Sequence, residues 1–128
     1  MEDFVPYKLA KKLNEKGFTL PKSNIIGKFD SDGVFHSQLY INFTETMDSE
    51  EIIAPTISQV LKWLREVKKI FICIDLLESG YCYDIQKNVV INNAEFDFDV
   101  VMLMAGRYET YELAALAGIE YILDNNFI

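Results

Sequence analysis

The chain has 128 residues, half of them apolar, and its 20 acidic residues outnumber its 12 basic residues to give a formal charge of -8. This length and composition predict one folded domain spanning residues 1–128 and argue against a disordered chain. The negative charge repels phosphate backbones and anionic lipid, so it disfavours general binding to nucleic acid or to a membrane surface.

Features that would indicate secretion or membrane insertion are missing from the sequence. The N-terminal stretch M-E-D-F-V-P-Y has no basic leader and no apolar run, and the longest apolar stretch, 100–106, is far shorter than a membrane span. Cys73 and Cys82 match neither a disulfide framework nor a C-x-x-C metal or redox motif. The sequence therefore predicts a cytoplasmic protein with free thiols.

The first part of the chain predicts one helix, a hairpin and a strand. Residues 4–16 carry apolar positions at helical spacing and are followed by Gly17, so they predict a short helix. The sequence D-S-D-G between apolar runs is typical of a hairpin turn. Residues 39–43 have the composition of a strand, and the acidic stretch 44–51 predicts a surface loop.

The segment 54–69 is the clearest helix in the sequence. Pro55 fits the first turn, and the apolar residues that follow recur at the spacing of one buried helix face. That face comprises Ile57, Val60, Leu61, Leu64 and Val67.

A β-hairpin is predicted directly after this helix. If Ser79 and Gly80 form a two-residue turn, Asp75 lies opposite Asp84 and Ile74 opposite Ile85. A longer loop would shift every pair. In the two-residue register, one face carries Ile72, Ile74, Leu76, Tyr83 and Ile85.

The C-terminal part predicts a strand over 95–105 and a final helix with Thr110 as its N-cap. The final helix is apolar around most of its circumference, so it is either packed on two sides or shared with another subunit. The order of elements predicts an α+β fold in which an antiparallel sheet of four or five strands is covered mainly on one face by three helices.

Two stretches, I-A-P-T-I-S-Q-V-L-K-W-L-R-E-V-K-K-I-F-I-C-I and Y-E-T-Y-E-L-A-A-L-A-G-I-E-Y-I-L-D-N, carry a resemblance to a known family. In both, the chain resembles a family of small uncharacterised proteins of gut bacteria and of their phages and mobile elements. The opening E-D-F-V-P-Y-K-L-A-K-K-L-N-E-K-G-F is similar as well, whereas 20–52 and 86–106 are unmatched. The resemblance implies a phage or mobile-element setting and the host cytoplasm as location. It carries no catalytic residues across, since none are established for the family.

The helix 54–69 offers a basic face, on which Lys62, Arg65 and Lys69 cluster opposite the apolar stripe. These cations could contact phosphates while Trp63 stacks on a base. An amphipathic helix needs a polar side in any case, and three phosphate contacts give little affinity at physiological salt. A solvated face, with Trp63 sealing the edge of the core, is therefore the favoured interpretation.

Carboxylates offer a second candidate site. Asp75, Asp84, Asp97 and Asp99 lie on predicted strands, and paired carboxylates can bind divalent metals or act as acid and base. The single histidine, His36, follows the D-S-D-G turn and excludes multi-histidine metal sites within one chain. Scattered glycines match no nucleotide-binding motif.

The sequence thus predicts a non-enzymatic protein that binds a protein partner of unidentified type, as an accessory or inhibitory factor, with a homodimer as one form of that association. No catalytic, cofactor-binding or metal-binding residue is assigned. The expected contact surface comprises Tyr108, Tyr111, Tyr121, Lys62, Arg65 and Lys69. A metal-dependent enzyme using the four aspartates and a nucleic-acid binder using the basic face stay open as alternatives.

Overall fold

The computed structural model describes residues 3–21, 27–37, 51–92 and 95–128. These residues form helices and antiparallel sheets, which confirms the predicted α+β class. The described strands are divided between two three-stranded sheets, where the sequence predicted one sheet of four or five strands. The chain groups into two compact units, residues 1–56 and 57–128. The single domain that the sequence predicts over residues 1–128 stays a prediction.

The first unit contains a helix and a small sheet. Its elements are α1 (Tyr7–Glu15), β1 (Gly27–Phe29), β2 (Phe35–Ser37) and β3 (Ile52–Ile53), with the strands in the order β2-β1-β3. The helix buries Leu9, Ala10 and Leu13, as its apolar spacing predicts. The predicted strand 39–43 and all but the last residue of the predicted loop 44–51 lie outside the described residues.

The D-S-D-G sequence forms the predicted turn, which joins β1 to β2. Asp30 Oδ1 accepts hydrogen bonds from the backbone N–H groups of Asp32 and Val34, and Asp30 Oδ2 lies 2.8 Å from His36 Nε2. The hydrogen bond with His36, followed by the one from Val34, lowers the pKa of Asp30 below its ordinary value. The only histidine of the chain thus closes a turn.

The second unit consists of two helices and a three-stranded meander. Its elements are α2 (Ile57–Trp63), a π-helical turn (Leu64–Lys68), β4 (Phe71–Leu77), β5 (Gly80–Asn92), β6 (Glu95–Tyr108) and α3 (Tyr111–Asp124). The strand order is β4-β5-β6, so β5 is the central strand and extends beyond the shorter β4.

The hairpin between β4 and β5 has a different register from the predicted one. Leu77 pairs with Gly80, so the loop residues are 78–79, and Asp75 lies opposite Cys82 instead of Asp84. The predicted Asp75–Asp84 pair is therefore wrong. Gly80 begins β5 with φ +133°, and a Cβ there would lie 2.8 Å from the carbonyl oxygen of Tyr108. The close contact with β6 therefore requires a glycine at this position. Because Gly80 belongs to β5, the turn lies one residue earlier than predicted.

The shift in register leaves the faces of the hairpin unchanged. Pairing moves by two residues, and strand side chains alternate with a period of two, so the predicted apolar face is preserved. Gly118 of α3 lies against Ile72 and Tyr83 on this face. The helix buries Ala114, Ala115, Gly118, Ile119, Ile122 and Leu123. Its opposite side carries the exposed residues Leu113 and Glu120, so the single chain packs one side of the helix.

Thr110 caps α3 as the sequence predicts: its Oγ1 accepts a hydrogen bond of 3.1 Å from the backbone N–H of Leu113. We expect Thr110→Ala to lower the free energy of unfolding by about 1 kcal/mol, since the first turn loses an acceptor. Thr110→Ser retains the hydroxyl and should stay within about 0.5 kcal/mol of the parent chain. Urea denaturation followed by circular dichroism measures both, and equal losses in the two variants would contradict the cap.

Candidate functional site

Three strands and one helix bring a group of tyrosines together at one end of the second unit. Leu76 of β4 pairs with Tyr81 of β5, and Tyr81 pairs with Tyr108 of β6, so these three residues share a row across the sheet. The helix α3 begins three residues after Tyr108, which places Tyr111 beside this row. The ring of Tyr111 lies 6.5 Å from that of Tyr81 in an edge-to-face arrangement. We call Leu76, Tyr81, Tyr108 and Tyr111 the tyrosine patch.

The tyrosine patch is partly open to solvent. Leu76 is 67% exposed and Tyr111 is 44% exposed, while Tyr81 and Tyr108 are half-buried. Beneath the patch lies Tyr83, whose ring stacks on Tyr108 at 6.3 Å. Desolvation by burial raises the pKa of the Tyr83 phenol above its ordinary value. The surface combines apolar area with polar phenolic tips, as contact surfaces between proteins do.

The structure separates the three tyrosines that the sequence grouped as one surface. Tyr108 and Tyr111 belong to the tyrosine patch, whereas Tyr121 stacks on Phe127 with ring centroids 6.0 Å apart. Ten residues of helix place Tyr121 about 15 Å along the axis from Tyr111. Leu76 and Tyr81 were missed as site residues. The observed hairpin register pairs one with the other, but it depends on the contact between Gly80 and Tyr108 and could not be read from the sequence.

The basic face of the second helix is present, but its geometry differs from a regular amphipathic helix. Lys62, Arg65 and Lys69 are all exposed. The helix changes to a π-helical turn at Leu64, and Lys69 ends it in the left-handed conformation with φ 57°. The carbonyl oxygen of Leu64 accepts hydrogen bonds from the N–H groups of both Lys69 and Ile70. Lys69 therefore serves as a helix cap.

The π-helical turn corrects the expectation for Val67, whereas Trp63 lies where the favoured interpretation placed it. Val67, predicted on the buried stripe, is 59% exposed, because the wider turn adds a residue and rotates the later positions away from the core. Trp63 is only 6% exposed, with Lys68 Nζ 5.4 Å from its ring centroid. Its indole is part of the core, in agreement with the favoured interpretation, so it offers no open face on which a base could stack.

We expect Lys69→Gly to raise the free energy of unfolding by about 1 kcal/mol, since glycine adopts the left-handed conformation without the penalty of a Cβ. Lys68→Gly is the matched control: it replaces a helical lysine of the same charge and should lower stability by about 1 kcal/mol. Chemical denaturation gives both values. A loss of stability in Lys69→Gly would contradict the cap.

The carboxylates considered as metal ligands stabilise irregular backbone. Asp84 Oδ1 accepts a 2.6 Å hydrogen bond from the N–H of Met104, and Asp99 Oδ2 accepts one of 2.8 Å from Asn88 Nδ2. Met104 and Asn88 both have positive φ, and they lie where the register between β5 and β6 shifts. The side chain of Asp97 lies outside the described residues. Among the residues that the structure places, no three His, Cys, Asp or Glu side chains form a group that could hold a metal ion.

The bulged part of β6 continues to Gly106, which has φ +78°. Next to it, Arg107 Nη1 donates hydrogen bonds to the carbonyl oxygens of Gly106 at 2.6 Å and Met104 at 3.5 Å. The guanidinium is thereby held against its own strand. Tyr108 follows directly and belongs to the tyrosine patch, so the bulge determines where this ring lies.

The net charge of the protein resides in the part of the chain that forms this sheet and α3. Ten of the twenty acidic residues, but only two of the twelve basic residues, follow Lys69, so the residues from 70 onward account for the whole formal charge of -8. Glu78 lies in the loop beside the tyrosine patch, and Glu109 follows Tyr108 at the same end of the sheet. The tyrosine patch therefore has an acidic border.

No family model matches the chain, and neither a curated protein nor a solved structure is significantly similar to it. None of the described helices is long and apolar enough to span a membrane.

Proposed function

We propose that the protein binds a partner protein through the tyrosine patch and catalyses no reaction. The observation that carries this proposal is the exposure of Leu76 and Tyr111 next to Tyr81 and Tyr108. Single exposed leucines are common on protein surfaces, but Leu76 lies opposite Tyr81, and Tyr81 in turn lies next to Tyr108 and Tyr111. Tyrosines bury a large area at small entropic cost and are enriched among residues that dominate binding energy.

The roles of the other candidate residues support partner binding over the two alternatives. Asp84 accepts a hydrogen bond from the backbone N–H of Met104, and Asp99 accepts one from the side chain of Asn88. Asp75 has no carboxylate directly opposite it in the β4–β5 register. Trp63 is buried, which removes the stacking surface that a nucleic-acid binder would use. The resemblance to proteins of phages and mobile elements completes the proposal: an accessory or inhibitory factor that meets its partner in the host cytoplasm.

Association of two copies is a second form that partner binding could take. Light scattering coupled to size exclusion measures it directly, over a range of protein and salt concentrations. The acidic border of the tyrosine patch would face its own like charge in a symmetric dimer, which weighs against this form at low salt.

Affinity capture from bacterial host extract tests the proposal, with proteins identified by mass spectrometry. The double variant Leu76→Ser/Tyr111→Ser removes the two most exposed members of the tyrosine patch. Leu113→Ser is the matched control, because Leu113 is 48% exposed on α3 but lies about 200° around the helix from Tyr111. We expect a partner that the parent and control chains retain and the double variant loses. Equal capture by all three chains would contradict binding through the tyrosine patch.

A further inference from the structure

We infer that the partner presents a basic, extended segment that pairs with β4 and becomes the fourth strand of the β4-β5-β6 sheet. This inference rests on the proposed function and names the chemistry of the partner. Three features of the molecule support it: the position of β4 in the sheet, the side chains that β4 exposes, and the charges around them.

Strand β4 forms one edge of its sheet. Over Phe71–Leu77 it pairs with β5 along one side, and no other described strand pairs with its second side. An edge strand presents backbone N–H and C=O groups that a further strand can bind, and addition of an extended peptide to such an edge is a common mode of recognition. With seven residues, β4 is long enough to pair with a short segment along its whole length.

The exposed side chains of β4 lie at the end that adjoins the tyrosine patch. Asp75 and Leu76 are exposed and consecutive, so they point to opposite faces of the sheet. A strand paired with β4 would place its own side chains about 5 Å from these residues, on both faces at once. On one face an apolar side chain would cover Leu76 beside Tyr81; on the other a cation would lie beside Asp75.

The charges at this end of the sheet select a basic partner. Asp75 and Glu78 are exposed on the hairpin, and Glu109 is exposed at the end of β6. The nearby cation, Arg107, is held by the backbone carbonyl oxygens of its own strand. A second copy of the chain would bring the same carboxylates to the same edge, whereas lysines or arginines on the incoming segment would neutralise them.

A synthetic peptide tests the inference without knowledge of the natural partner. The probe alternates lysine and valine over about the length of β4, with blocked termini. One comparison peptide carries glutamate in place of lysine. A second keeps the lysines and valines but is N-methylated at every residue, which removes the backbone donors on both edges of the peptide without altering its charge. Each peptide is titrated into isotope-labelled protein, and backbone amide shifts and amide exchange are followed by NMR.

We expect the lysine–valine peptide to shift the amides of β4 and to slow their exchange, and both comparison peptides to bind at least about tenfold more weakly. Asp75→Asn/Glu78→Gln and, separately, Leu76→Ser should each weaken binding severalfold. The control Glu120→Gln/Asp124→Asn carries the same change of charge on the far part of α3 and should leave affinity unchanged.

Equal binding of the N-methylated and unmodified peptides would overturn strand addition, because attraction between charges would then explain the affinity. Shifts confined to residues outside β4, or no binding at all, would overturn the inference as well. Self-association of the protein through β4, detected as slowed exchange of the same amides at high protein concentration, would assign the edge to a second copy and contradict a basic partner. If Leu76→Ser/Tyr111→Ser loses the captured partner while the parent chain binds no peptide, the strand-addition inference fails and the proposed function stands.

Discussion

Replacement of Gly118 by alanine is expected to lower the free energy of unfolding by about 1–3 kcal/mol, because the added methyl group overpacks the contact between α3 and the sheet. Gly118 lies in the middle of α3, and a Cβ there would be 2.9 Å from Ile72 Cγ2 and 3.4 Å from Tyr83 Cδ2. Helix propensity alone gives the opposite sign, since alanine is favoured over glycine by about 1 kcal/mol inside a helix. The sign of the change therefore separates the two effects.

Urea denaturation of Gly118→Ala provides this sign. Glu120→Ala, an exposed position on the same helix, is the matched control and should stay within about 0.5 kcal/mol of the parent chain. The double variant Gly118→Ala/Ile72→Ala removes the group that the new methyl meets, so the two substitutions should show a coupling energy of at least about 0.5 kcal/mol. A more stable Gly118→Ala variant would mean that α3 does not pack on β4 and β5 as described.

Gly106→Ala is expected to lower the free energy of unfolding by about 2–4 kcal/mol, since left-handed backbone strain and overpacking add together. Gly106 has φ +78°, and a Cβ there would overlap Tyr108 Cε2 and lie 2.8 Å from Tyr108 Cζ. The ring of Tyr108 would have to move, and capture of a partner should fall with it.

The control for strain alone is Gly17→Ala. Gly17 has φ +87°, but a Cβ there would meet nothing within 4 Å, so this variant should lose only about 1 kcal/mol. The difference between the two variants reports the contact with Tyr108, and both are measured by the same denaturation experiment. Equal losses in Gly106→Ala and Gly17→Ala would contradict the close approach of the bulge to the tyrosine patch.

Local patterns predicted those features of the fold that depend on neighbouring residues. The cap at Thr110, the turn at D-S-D-G and the buried side of α1 each follow from short-range hydrogen bonds or helical spacing. The apolar face of the hairpin was also predictable, because alternation fixes which residues share a face even when the register moves by two.

The features that sequence patterns did not reveal depend on contacts between distant residues. The register of β4 on β5 follows from the approach of Gly80 to Tyr108, a residue 28 positions later. The exposure of Val67 follows from a π-helical turn, for which the sequence carries no regular spacing. The tyrosine patch requires both the register and the start of α3, so the sequence could place Tyr108 and Tyr111 beside the final helix but could not pair Leu76 with Tyr81.

The most direct test of binding through the tyrosine patch is a footprint of the free protein and of its complex with the captured partner. Hydroxyl-radical labelling followed by mass spectrometry reports the solvent exposure of individual leucine and tyrosine side chains. In the free protein, Leu76, Tyr111 and Leu113 should all be labelled. In the complex, protection of Leu76 and Tyr111 with unchanged labelling of Leu113 is the predicted result. Protection of Leu113 while Leu76 and Tyr111 stay fully labelled would contradict binding through the tyrosine patch.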